Sequence, residues 1–370
     1  MPNQTRPPMA LLASVAAAVL GFAIHQPGAA AGETGPHADL VPQFLLGLVH
    51  APEVHQELNL TSEQVAGLEV LFAETDAAWF PARNLAPDRQ REVIDKLETR
   101  VRQWFAENTT ADQQSRLRQL EFYAQGNRIL LRQDVAKEVG LSVTAQQKLA
   151  DLARASHVAQ QKLARTKFGD DGIEALQTEV ARTAKDEQAA LAKIVQQDQR
   201  TKLAKILGER FDPTRLARIY AMAPDFAADE AWINSPALSL KELRGKVVLV
   251  HFYAFQCHNC HANFDIYRRW HEKYSSDDVV LIGIQTPETS RERDADAVIA
   301  AAEEKQLDFP IQIDLQSQTW KAWGNTMWPT VYVVDQDGYV RHWWSGELNW
   351  KGATADQTIE KVVDQLLSQN

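Results

Sequence analysis

The chain is poor in cysteine, with two in 370 residues, Cys257 and Cys260. That excludes a disulfide-rich scaffold, and any intramolecular disulfide must join these two. It also lacks an excess of positive charge. Its 39 Lys and Arg against 49 Asp and Glu give a formal net charge of −10, which leaves a nucleic-acid role without electrostatic support. No proline occurs between Pro87 and Pro213. Only Trp79 and Trp104 precede Trp232. Arg6 is the one charged side chain before the apolar run Met9–Ile24.

That run is too short to span a membrane comfortably and suits the h-region of an export signal. Pro27-Gly-Ala-Ala-Ala31 then supplies small residues for cleavage after Ala31. An uncleaved N-terminal anchor is the rival, since the preceding segment is weakly basic. No cysteine follows the run, which argues against a lipid anchor. Residues 1–31 thus read as a signal peptide, and the mature chain as periplasmic or otherwise extracytoplasmic. Thiol–disulfide chemistry there depends on dedicated carriers.

Residues 32–56 read as an irregular lead-in with one short helix near Val41–His50. The scattered His37 and His55 read as ordinary side chains rather than ligands. The proline-free stretch is dominated by Ala, Gln, Leu, Lys and Arg, so 32–215 reads as a helical domain. Thr61-Ser-Glu-Gln64, Thr110-Ala-Asp-Gln113 and Thr144-Ala-Gln-Gln147 each have the form of a capping box. Helices are predicted near 62–80, 88–107, 111–137, 145–167, 171–195 and 197–207, packed as hairpins. Gly126, Gly140, the stretch Gly169–Gly172 and Gly208 mark breaks. Leu60–Gln64 resembles the LTxxQ motif of the Spy/CpxP periplasmic helical proteins, and a capping box accounts for it too. No catalytic constellation appears here, so protein contact or spacing is the expected work.

A linker follows at Phe211–Pro213 and Ala223–Phe226, and strand then alternates with helix. Strands are predicted at 247–253, 279–285, 311–315, 330–334 and 339–344, with helices at 258–274, 294–305, 318–323 and 355–367. The early β-α-β order implies parallel pairing, and the late hairpin around Asp335–Gly338 adds antiparallel strands. Val247–Val250 is a continuous β-branched run, as in a strand covered on both faces. It leads straight into Cys257-His-Asn-Cys260-His261. The cysteines therefore stand where a strand ends and a helix begins. Unpaired N–H groups and partial positive charge at a helix N-terminus lower a thiol pKa. A spacing of three places both sulfurs on one face of the first turn.

That motif admits several chemistries. It is a C-x-x-C-H, the c-type haem attachment pattern. The two cysteines with His261 or His342 could instead deliver copper. A non-enzymatic reading makes the helical domain a scaffold or chaperone and the second domain a docking module.

Residues 223–370 resemble a thioredoxin fold of the TlpA/ResA type, in particular the redoxin domain attached to DipZ-like membrane proteins. The resemblance is carried by Ala223-Pro-Asp-Phe226, Trp232-Ile-Asn-Ser235, Leu240–Lys246, Cys257-His-Asn-Cys260, Ile284–Glu288 and Thr319–Thr330. It implies an α/β domain, a mixed sheet flanked by helices, after the α-helical one. It also implies an exported thiol–disulfide oxidoreductase needing no cofactor and no metal. Its partners would be protein dithiol or disulfide substrates and a redox donor or acceptor protein. Cys257 matches the exposed nucleophile, Cys260 the buried resolving thiol and Pro329 a cis-proline. Trp328, Pro329 and Thr330 would bind the partner, because a proline there leaves the Trp328 backbone free to hold an extended segment.

Three residues depart from the pattern. Gln256 replaces the usual tryptophan before the first cysteine. His258 lies between the cysteines, where it can stabilise a thiolate. His251 stands where relatives carry a buried acid or its polar substitute. It reads either as a neutral core histidine or as a catalytic group relaying the Cys260 proton. The direction of electron flow stays open.

Overall fold

The computed structural model describes residues 35–166, 172–216, 218–274 and 278–368. The apolar run and the site expected after Ala31 lie outside them. The chain forms two compact units, and these do not follow chain order. One comprises the residues up to Leu71 with Ala86–Ile219, the other Phe72–Leu85 with Tyr220–Asn370.

The first unit is helical. Its elements are α1 (Leu45–His50), α2 (Pro52–Glu57), the first half of α3 (Ser62–Ala82), α4 (Pro87–Asn108), α5 (Ala111–Gln125), α6 (Gln133–Val139), α7 (Val143–Arg165), α8 (Ile173–Ile194) and α9 (Gln197–Leu207). Leu68, Ile94, Val101, Phe105, Leu117 and Leu120 are buried at helical spacing. Two capping boxes form as their sequences predict. Thr61 exchanges bonds with Gln64, and Thr110 with Gln113. The two glutamines also bond to each other at 3.1 Å, which ties one helix start to the other. The third box does not form at Thr144. Ser142 caps α7 instead, accepting the Ala145 N–H at 3.2 Å. The helix predicted over 111–137 is broken at Gly126, whose φ of +59° suits a residue without Cβ.

The second unit contains one mixed sheet of six strands, β1 (Ala231–Ile233), β2 (Val247–Tyr253), β3 (Val279–Gln285), β4 (Ile311–Ile313), β5 (Thr330–Val334) and β6 (Val340–Ser345), in the order β1-β4-β3-β2-β5-β6. The pairs β2–β3 and β3–β4 are parallel, and the others antiparallel. Central β2 is buried at every residue. The edge strand β1 was not foreseen, being three residues long and only half-buried.

The sheet has two faces. On one, α10 (His258–Lys273) and α13 (Ala355–Leu367) bring Tyr267, Trp270, Ile359 and Val363 onto Leu249, Tyr253, Val331 and Val333. This core also holds both cysteines. On the other face, Phe252 meets Trp320 and Trp323 beside α12 (Gln318–Ala322), together with Tyr332. Helix α11 (Ala295–Glu304) precedes β4. Phe72–Leu85 belongs to this unit, and Phe80 has ring partners here. Phe80 stands edge-on to Trp323, Tyr332 and Trp343 at 5.7–6.3 Å. Asp76 accepts the Met222 N–H at 2.7 Å.

Candidate active site

The end of β2 turns through Ala254–Gln256 into α10, with Cys257 as N-cap. The turn closes with Cys257 N–H on the Ala254 carbonyl and Cys260 N–H on the Cys257 carbonyl, both at 3.1 Å. Cys257 is 8% exposed and Cys260 wholly buried; neither is in a disulfide. The two thiols differ sharply. A hydrogen bond from Cys260 holds the Cys257 thiol below its ordinary range. The N–H groups of Cys260 and Asn259 reinforce this, while burial and the Glu288 charge oppose it. Burial, followed by the pairing with Cys257, pushes the Cys260 thiol far up. One sulfur is thus fitted to be a thiolate and the other to keep its proton.

The Trp328–Pro329 peptide is cis. Trp328 packs against the core that holds the cysteines and stacks on Trp320 at 4.2 Å. Thr330 is buried at the start of β5, its hydroxyl donating to the Met327 carbonyl at 3.0 Å. Trp328 and the cysteine pair therefore share one core.

His251 shares a sheet face with Tyr253. Its ring is fully buried and lies on Tyr267 at 4.0 Å and near Tyr253 at 5.2 Å, with Phe309 edge-on. Neither ring nitrogen has a hydrogen-bond partner among the described residues. Burial pushes its pKa down to about 3. The ring is therefore neutral at physiological pH, as the core reading of His251 has it. Gly283, directly across on β3, makes the space, since a Cβ there would stand 3.1 Å from His251 Nε2.

The haem reading rests on the C-x-x-C-H that ends at His261, and the copper reading takes His261 or His342 as ligand; His261 is engaged elsewhere. Its Nε2 bonds the Phe255 carbonyl at 2.6 Å instead. Among the described residues, no group of three or more His, Cys, Asp or Glu is placed to hold a metal ion.

One residue at the site was not anticipated. Glu292 is fully buried, and its carboxylate accepts the N–H groups of Gln256 (2.7 Å), Glu288 and Thr289 (both 2.8 Å). The Thr289 hydroxyl also donates to Gln256 Oε1 at 2.5 Å. The loop after β3 is thereby stapled to the residue preceding Cys257. In sequence, Ser290-Arg-Glu-Arg293 looks like a solvated charged turn. Its only signal was adjacency to Ile284–Glu288.

Residues 219–343 match the AhpC/TSA family. The second unit carries a thioredoxin-like domain. Protein DipZ of Mycobacterium tuberculosis is 34% identical over 149 residues, 40% of this chain and 21% of DipZ. Thiol-disulfide oxidoreductase YkuV of Bacillus subtilis is 25% identical over 146 residues, 40% of this chain and 94% of YkuV. Thiol-disulfide oxidoreductase ResA of Bacillus thuringiensis is 27% identical over 118 residues, 32% of this chain and 64% of ResA. The matched segment thus spans about a fifth of DipZ. The likeness to DipZ and ResA read from the sequence holds for the thioredoxin-like domain. The family match begins at residue 219, so the likeness of Leu60–Gln64 to Spy/CpxP proteins rests on that motif alone.

Proposed function

We propose that this chain is an extracytoplasmic thiol–disulfide oxidoreductase that exchanges disulfides with protein partners through Cys257 and Cys260. The observation that carries this reading is the asymmetry of the pair. Cys257 stands at a helix N-terminus with its thiol held low, and Cys260 is buried behind it with its thiol held high. As reductant, the Cys257 thiolate attacks one sulfur of a partner disulfide. A Cys257–partner bond forms, and the other partner sulfur leaves as thiolate and takes up a proton. Cys260 then loses its proton and attacks Cys257. The Cys257–Cys260 disulfide forms and the second partner thiol is released. Two electrons pass to the partner, and the reverse sequence oxidises it. A separate dithiol or disulfide protein resets the pair.

Trp328, Pro329 and Thr330 are assigned to the partner segment, which lies extended along the Trp328 backbone. His251 is assigned to packing beneath the pair. The extracytoplasmic setting is supported by the apolar run Met9–Ile24 and the small residues after it. No described helix is long and apolar enough to cross a membrane.

The test is mixed-disulfide trapping. Cys260→Ala accumulates Cys257-linked partners, and Cys257→Ala does not. Equal trapping by both variants refutes the order of attack, and trapping by neither refutes the function.

A further inference from the structure

Arg83 is a largely enclosed cation that forms no ion pair among the described residues. Its guanidinium lies over the Phe80 ring at 3.8 Å and within 5.7 Å of the Tyr332 and Trp343 ring centres. Nη1 donates to the Phe80 carbonyl at 2.6 Å. Nη2 donates to the Trp323 carbonyl at 2.9 Å and to the Tyr332 hydroxyl at 2.6 Å. That hydroxyl in turn donates to Asn325 Oδ1. The next residue, Asn84, donates to the Gly324 carbonyl at 2.6 Å. Gly324 has a φ of +59°, and a Cβ there would come within 2.7 Å of Pro81 Cα.

These bonds converge on three successive residues, Trp323, Gly324 and Asn325, the first part of the loop that ends at Trp328–Pro329. The far end of that loop is held by the stack of Trp328 on Trp320. A charged donor bridging a loop carbonyl and a strand hydroxyl fixes orientation more firmly than apolar packing, which is not directional. No part of this bonding reaches a cysteine.

We infer that Arg83 is a positioning residue for partner binding, holding the Trp323–Pro329 loop so that the Trp328 backbone is preset for an extended partner segment. The inference rests on the thiol-exchange reading and adds to it a determinant that lies outside the family segment 219–343. Preorganisation of this kind acts on binding rather than on the chemical step.

The experiment uses the full chain with Arg83→Ala, Arg83→Lys, Tyr332→Phe and the double variant Arg83→Ala/Tyr332→Phe. Assays run at a temperature where tryptophan fluorescence shows each variant folded. With dithiothreitol regenerating the reduced protein and insulin as disulfide probe, KM rises about tenfold in Arg83→Ala, as expected for loss of one charge-assisted bond. The kcat and the reduction potential of the cysteine pair stay at the parental value. Arg83→Lys does not rescue, because an ammonium cannot reproduce the fork. The effects of Arg83→Ala and Tyr332→Phe are not additive. Amide hydrogen exchange at 324–328 quickens in Arg83→Ala and in Tyr332→Phe. Unchanged KM in folded variants of an active parent overturns the inference, as does unchanged amide exchange. If Arg83→Ala does not fold, Tyr332→Phe alone decides by the same two readouts. An inactive parent with quickened amide exchange would remove the thiol-exchange reading and keep the clamp on the loop.

Discussion

Glu292 accepts the backbone N–H of Gln256 at 2.7 Å, and Gln256 is the residue before Cys257. The same carboxylate takes two further N–H groups from the loop after β3. All three are hydrogen bonds to a charged group, each worth about 1.5–3 kcal/mol. Glu292→Ala is therefore expected to lower stability by about 3 kcal/mol or more. Glu292→Gln, which keeps one carbonyl oxygen, should lose less. Urea unfolding followed by tryptophan fluorescence checks the ranking. If the two variants are equally stable, the staple is not what holds this turn.

The difference between the two thiols predicts selective alkylation. In the reduced native protein at neutral pH, iodoacetamide should modify Cys257 and leave Cys260 untouched, since only a thiolate attacks and only one sulfur is held below the ordinary range. The rate should persist to lower pH than for a free cysteine. In denaturant both sulfurs should react alike. Peptide mapping after a short pulse gives the answer, and equal labelling of the native pair would remove the asymmetry on which the mechanism depends.

The parts of the site legible in the sequence are those written in side-chain pattern. The unbroken β-branched run of β2, the cysteines at its end and the helical spacing of Ile266 and Trp270 place α10 and the pair without ambiguity. Glu292 was not legible because its partners are backbone N–H groups, which every residue but proline has. Phe72–Leu85 was not legible for another reason. Periodicity identifies a helix and its apolar face but not the core that the face meets, and the aromatic residues at 79 and 80 continue the same helix as Leu68 and Leu71. His251 was placed on the correct face by alternation. Its surroundings came from Tyr267 on α10 and Phe309 beyond α11, which no local pattern near β2 could reveal.

Burial pushes His251 down to about 3, whereas an unfolded histidine titrates near about 6.5. The sign follows from which state binds the proton. Above the unfolded value both states are neutral, and the stability is complete. As pH falls from there toward the folded value, only the unfolded chain takes up the proton, and stability is lost at about 1.4 kcal/mol per pH unit. His251→Phe removes this proton uptake. Its urea midpoint should therefore fall less than the parent's between about pH 7 and about pH 5, read by tryptophan fluorescence. The same variant should resolve mixed disulfides at the parental rate. A slowed resolution step in stopped-flow exchange would return His251 to the role of relay.

Truncation tests where the thioredoxin-like domain begins. The family match and the linker both suggest that a piece starting near Arg218 is complete. The packing does not, because Phe80, Asp76 and Arg83 lie far upstream and have their partners in the second unit. Without them, Trp323, Tyr332 and Trp343 lose the ring that Phe80 sets among them. Removing one buried Phe side chain from a core costs about 3–5 kcal/mol. The Asp76 bond to Met222 N–H is lost as well. A piece covering residues 218–370 is therefore expected to be several kcal/mol less stable than the same unit in the full chain and to expose an aromatic surface. Joining residues 72–85 to its N-terminus through a flexible linker should recover most of the difference. Urea midpoints and binding of a hydrophobic dye, compared across the three proteins, provide the measurement. If the short piece matches the full chain in both, Phe72–Leu85 is dispensable to the fold of the domain.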